Sequence, residues 1–206
     1  METREKILEA ARQLFHEQGY VATGIGTILR QAEVNPGSLY HFFRNKEELL
    51  QAVLKQYQDL LWPVVLGPVQ ESESDPIERI FRLLDWYRTG MVETGCRLGC
   101  PIGNLALELS DTHPQVRPGI EVNLRNWRAG IRQWLDDAGE RLPADCDRDA
   151  LAFLVLTVME GGLLQARAAD DLAPFDASVR VLRDHFNRLL QDAAGHTDPR
   201  APENRR

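Results

Sequence analysis

Residues 35–43 read Asn-Pro-Gly-Ser-Leu-Tyr-His-Phe-Phe and contain no carboxylate. The hydroxyls of Ser38 and Tyr40 and the ring N–H of His41 suit phosphate oxygens, and Gly37 lets the backbone approach one closely. Lys46 follows at the start of the next helix, where unsatisfied N–H groups also attract phosphate. Base edges would be met by Asn35, Pro36, Gly37 and Ser38, and by Gly26 and Thr27 of the preceding segment. Thr27 and Pro36 suit a thymine methyl group. Together with Thr23 these residues form the candidate DNA face.

A second chemistry is available at Cys96 and Cys100, in the segment Gly95-Cys96-Arg97-Leu98-Gly99-Cys100-Pro101. Cys100 stands just before a predicted helix, whose dipole lowers a thiol pKa. A thiolate adds to quinones and aldehydes and oxidises to a sulfenic acid. The plainer alternative is a small buried hydrophobe, the usual state of a free cysteine. A Cys96–Cys100 disulfide would need the loop to bring the Cα atoms within about 7 Å. A metal is not expected: Cys-x3-Cys has no second ligand pair, and His113 is the one nearby imidazole. Cys146 lies between Asp145 and Asp147, which disfavour its thiolate. No nucleophile, base and orienting group stand together, so neither an enzyme nor a cofactor is expected.

The elements that position these residues are helices. Apolar residues recur at helical spacing over 3–18, and Gly19 supplies a C-cap. Thr23 is expected to N-cap a second helix to about 32, and Asn35-Pro36 to open a third over 36–43. A fourth should run from 46 to about 62 and break at Pro63 and Pro68, leaving a linker over 63–74. Further helices are expected over 76–94, 102–109, 114–138, 147–169 and 176–192. This is an all-α fold, divided into a three-helix helix-turn-helix head at 1–62, a helical body at 63–194 and a disordered tail at 195–206.

The 206 residues suffice for a core without disulfides, and three cysteines make no disulfide scaffold. The charged amphipathic start is unlike a signal peptide, and the apolar run at 150–164 reads as too short to span a bilayer. A cytoplasmic protein without membrane contact is expected. The net charge of −7 argues against coating nucleic acid nonspecifically. Residues 1–55 carry seven bases and seven acids, so the negative charge lies wholly in the remainder.

The runs ILEAARQLFHEQGY, T-x-I-x-x-I-x-x-x-A-x-V and PGSLYHFFRNKEELL closely resemble the DNA-binding domain of the TetR family of transcriptional regulators over residues 4–54. In that family the residues matching Tyr40 and Lys46 contact the DNA backbone. The resemblance implies a homodimer on double-stranded operator DNA, with heads spaced about 34–36 Å apart or a multiple of it. It also implies a ligand-binding and dimerisation body that releases the head when a small-molecule or electrophilic inducer binds. GCRLGCPIGNLALELSD, at 95–111, resembles the branch that includes the N-ethylmaleimide-responsive, electrophile-sensing repressor; Cys100 matches its sensor. Arg167 stands where that repressor has a lysine; it can lower a thiol pKa but is a poor nucleophile towards oxidised sulfur.

Within the body, Trp86, Tyr87, Met91, Asn104, Trp127, Phe153 and Glu160 are candidate pocket-lining residues. Leu151, Leu154 and Val158 belong to a helix apolar nearly all round. With Gly161, Gly162, Val179, Leu182 and Phe186 they are expected to form a four-helix dimer interface. Gly161-Gly162 inside a helix costs about 1 kcal/mol per glycine, which close helix approach would offset. The competing function is a helical dimer that binds small molecules or proteins without binding DNA.

Overall fold

The computed structural model describes residues 2–196, with the backbone alone at His196. They form ten α-helices and no strand. The chain folds as two compact units: the chain up to Val64 with Leu98–Asn126, and Val65–Arg97 with the chain from Trp127 onward. The division differs from the expected split at 62/63, because residues 98–126 cluster with the head.

In the first unit, α1 (Thr3–Gln18) buries Ile7, Leu8, Ala10, Ala11, Leu14 and Phe15. It ends at Gly19, whose φ of +85° suits glycine and whose N–H reaches the Phe15 carbonyl. α2 (Ile25–Gln31) is short, and Glu33 turns the chain at φ 55°. α3 (Ser38–Phe42) packs through Leu39, with Phe43 buried just beyond it. α4 (Lys46–Leu60) is capped by Asn45, whose side chain accepts from the Glu48 N–H at 2.8 Å. α7 (Pro101–Leu109), a 3₁₀ turn at Pro114–Val116 and the first part of α8 (Arg117–Asp137) complete this unit. Asn123, 2% exposed, ties α8 to α4 by donating to the Leu54 carbonyl at 3.1 Å.

The second unit contains α5 (Gly67–Ser72), α6 (Pro76–Glu93), the rest of α8, α9 (Arg148–Ala169) and α10 (Ala173–His196). Asp75 caps α6, accepting from the Ile77 N–H at 2.9 Å. Phe81 meets Phe186 edge to face at 5.7 Å. Two ion pairs join α6 to α10: Arg88–Asp176 at 2.8 Å and Arg183–Glu78 at 2.7 Å.

Several expectations are corrected. Residues 63–74 are not a linker: helix continues as a wide π turn at Leu61–Leu66 and then as α5. The wider turn accommodates Pro63, which has no N–H to give. α3 begins at Ser38, with Pro36 in the preceding turn, because Gly37 holds the cap position. The last helix runs on through Gly195 to His196; the remainder of the expected tail, 197–206, lies outside the described residues. α9 is 22 residues long and contains an 18-residue stretch of mean hydropathy 1.4, enough by length and composition to match a membrane span. Its apolarity is used in packing, with Leu151, Ala152, Val155, Leu156, Met159, Leu163 and Ala166 buried.

Candidate DNA-binding face and effector helix

The head presents Asn35, Pro36, Gly37, Tyr40, His41 and Phe42 to solvent, with Tyr40 62% exposed. Leu39 and Phe43 alternate with them and anchor the segment from below. Ser38 and Thr27 are half-buried at the edge, and Gly26 is exposed. A Cβ on Gly26 or Gly37 would meet nothing within 4 Å. The fold itself therefore does not demand glycine at either position, whereas an outside surface in close approach would. Arg30 and Arg44 are exposed on the same unit and add cations to which residue type alone gave no role. Arg30 also donates to Thr27 Oγ1 at 3.2 Å.

Two residues expected at the DNA contact are used otherwise. Thr23 is fully buried, and its hydroxyl donates to the Gly19 carbonyl at 2.6 Å. It terminates α1 from within, and Gly24 takes the cap of α2. Lys46 turns its ammonium onto the Tyr20 carbonyl, 4.1 Å from the Tyr20 ring centroid. Burial lowers its pKa, and the nearby Glu108 acts in the opposite direction.

Cys100 is the N-cap residue of α7 and is 3% exposed. It belongs to the same compact unit as the DNA face. The loop before it is braced: Asn104 Nδ2 donates to the Leu98 carbonyl at 2.6 Å, and His16 Nε2 lies 3.0 Å from the Gly99 carbonyl. Asn104 is thus occupied in holding this loop rather than lining a pocket. Beside the thiol lies Tyr57, whose buried hydroxyl makes no hydrogen bond of good geometry. Burial pushes the Tyr57 phenol pKa well up; the neighbouring Arg12 guanidinium opposes the shift. Arg12 stands 5.9 Å from the centre of the Tyr57 ring and forms a 2.5 Å ion pair with Glu9.

In the second unit, Trp86, Tyr87 and Trp127 come together, with ring centroids 5.1 and 5.4 Å apart in succession. Tyr87, Met91 and Trp127 are buried, Glu160 is half-buried and Trp86 is open to solvent. Phe153 is not buried lining: it is 52% exposed, with the Arg128 guanidinium 4.1 Å from its ring centroid. Cys96 is buried at φ 57°, and Arg167 is exposed in the last turn of α9. All three cysteines are free thiols. Burial is the leading cause of a raised Cys146 pKa; Asp145 and Asp147 add to it and Arg148 opposes it. Among the described residues no cluster of three or more metal-ligating side chains occurs.

The expected dimer face divides in two. Leu151, Gly162, Leu182 and Phe186 are buried within their own chain. A Cβ on Gly162 would lie 2.8 Å from Phe175 Cδ2, so its close approach is internal. Leu154, Val158, Gly161 and Val179 keep exposed surface. Leu154 and Val158 line an open groove of about 600 Å³ with Ala177 and Val181. Val181, 67% exposed, was missed because it falls off the apolar stripe of α10.

Residues 7–53 match the family described as bacterial regulatory proteins, tetR family, and residues 76–182 match the tetracyclin repressor-like C-terminal domain. The second match alone covers more than half the chain. The chain belongs to the TetR family.

A regulator of this family from Mycobacterium tuberculosis is 32% identical, over 92% of this chain and 95% of the relative. The transcriptional regulator AcuR of Cereibacter sphaeroides is 29% identical, over 91% and 87%. A TetR regulatory protein from Rhodobacter sphaeroides has the same fold, with a TM-score of 0.79 at 29% identity, covering 88% of this chain and 97% of that one. TetR-family regulators bind operator DNA as dimers, and the relatives matched are transcriptional regulators, not enzymes.

Proposed function

We propose that this TetR-family regulator is a repressor that leaves its operator when the region of Cys100 is modified by an electrophile. The observation that carries the reading is the position of Cys100: a nearly inaccessible thiol at the N-cap of α7, in the same compact unit as the DNA face. An adduct on a side chain only 3% exposed has no free space to enter. It must displace the braced 98–100 loop or α7, since packed interiors yield by discrete rearrangement.

Among the relatives is the transcriptional repressor NemR of Escherichia coli, 27% identical over 86% of this chain and 90% of its own length. A solved NemR structure is described as its reduced form. The bond formed here would be a thioether between Cys100 Sγ and the electrophilic carbon, with the thiol proton passing to solvent and then to the adduct.

Fluorescence anisotropy on the gene's own upstream DNA tests the reading, before and after stoichiometric N-ethylmaleimide. Release of the wild type and retention of Cys100→Ser are expected. Undisturbed binding by both would refute the thiol route and leave a noncovalent inducer to be sought.

A further inference from the structure

α7 and the loop before it meet the last turn of α1 and the turn that follows it. In that loop the Gly99 carbonyl meets His16; in the last turn of α7 the Glu108 carboxylate accepts from the Tyr20 N–H at 2.9 Å and the Val21 N–H at 2.7 Å. The carboxylate rests directly over Gly19, where a Cβ would stand 3.1 Å from both of its oxygens. With φ at +85°, Gly19 also opens the turn so that the next two N–H groups point at one acceptor. The exit from α1 is therefore a socket shaped to a carboxylate.

The socket is electrostatically unusual. It lies at the C-terminal end of α1, where the helix dipole repels an anion. Two charge-assisted hydrogen bonds hold Glu108 there. Lys46 supplies the countercharge, since its ammonium reaches the Tyr20 carbonyl in the same turn. That turn leads directly into α2, and Lys46 is the first residue of α4. Glu108 thus registers the elements on either side of the DNA-facing segment. Cys100 and Glu108 lie eight helical steps apart, about 12 Å along one short rod. A shift at the first is delivered to the second.

We propose that Glu108 is a positioning residue, the latch through which the state of α7 sets the operator affinity of the head; only its trigger, the event at Cys100, rests on the function proposed above. With the latch closed, the turn before α2 is ordered and the head is set for DNA. With it open, the same turn must be ordered at the moment of binding.

The test uses the full-length dimer and a duplex selected from random sequence by the wild-type protein. Glu108→Ala should bind it about tenfold more weakly, within the usual range of coupling between sites. Glu108→Gln, which keeps one acceptor oxygen, should fall between the two and serves as the readout if the alanine variant does not fold. Hydrogen exchange at the Tyr20 and Val21 amides should accelerate in both variants, while Leu107→Ala, at a residue 71% exposed, should change neither quantity. Wild-type affinity, tighter binding or unchanged exchange in the Glu108 variants would overturn the latch. In wild type treated with N-ethylmaleimide, the two amides should accelerate as DNA is released. Release with both amides still protected would overturn the latch and leave the effector reading standing. No release, with weakened binding in Glu108→Ala, would remove the effector reading and leave the latch standing.

Discussion

Gly161 and Gly162 are adjacent on α9 and should respond to alanine in opposite directions. At Gly162 the new methyl would stand 2.8 Å from Phe175 Cδ2, 3.4 Å from its Cα and 3.5 Å from its Cγ. Phe175 is 1% exposed, so its ring has nowhere to go, and its backbone at 3.4 Å cannot rotate aside. Alanine gains about 1 kcal/mol of helix propensity. Forcing a methyl into a filled core costs about 1–3 kcal/mol. Overpacking wins, and Gly162→Ala should be less stable by roughly 1 kcal/mol on those figures. At Gly161 nothing of the same chain lies within 4 Å, so within the protomer the propensity gain of about 0.5–1 kcal/mol remains. The two variants should therefore differ by about 2 kcal/mol, close to 1 M in urea midpoint for a slope of about 2 kcal/mol/M. Urea unfolding of both variants and the wild type at one fixed protein concentration compares them on equal terms. A Gly162→Ala protein as stable as the wild type, or more so, would refute the packing argument.

Two further outcomes follow from the same geometry. Lys46→Gln should weaken DNA binding without changing its salt dependence, because the ammonium sits on the Tyr20 carbonyl. Arg44→Gln should flatten the log–log salt slope by about 1 if Arg44 is the cation that meets phosphate, and a similar change for Lys46→Gln would show that Lys46 swings out to DNA. Asp75 caps α6 and receives two hydrogen bonds from Arg141, at 2.8 and 2.9 Å; these, more than its cap bonds, hold its pKa down against burial. A carboxyl whose folded pKa is lowered stabilises the fold above its ordinary value of about 3.9, and that stability is lost as pH falls through the folded value. Asp75→Asn should thus flatten the acid end of the stability profile while keeping a capping side chain. Asp75→Ala should lose a further ~1 kcal/mol at every pH. An unchanged acid profile in Asp75→Asn would contradict the assignment.

The helices, the acid-free segment and the division of charge were legible in the sequence because each depends on short-range rules. Periodicity placed the apolar face of α1, and Asp75 capped α6 as a side chain of its type does. The resemblance over residues 4–54 carried the family. The positions that local rules misplaced have roles set by partners in another element of the fold or at its end. Thr23 had the residue type for a helix start, yet the end of α1 claimed its hydroxyl. Lys46 had the type for phosphate, yet Tyr20, 26 residues earlier, took its ammonium. Gly162 resembled an interface glycine until α10 placed Phe175 against it. Leu151, Leu182 and Phe186 were apolar enough for an interface, and only tertiary packing, against Phe81 of α6 in the case of Phe186, assigned them to the interior. Glu108 showed no sign of its role in sequence, because a carboxylate has the same local preferences whether it faces water or a backbone socket 88 residues away. By itself the sequence determined where most of the helices lie and which stretch carries no carboxylate, but not that helix continues past Pro63 to Ser72. Which face of each helix meets which neighbour, and so which groups remain free to act, was decided only when the chain closed on itself.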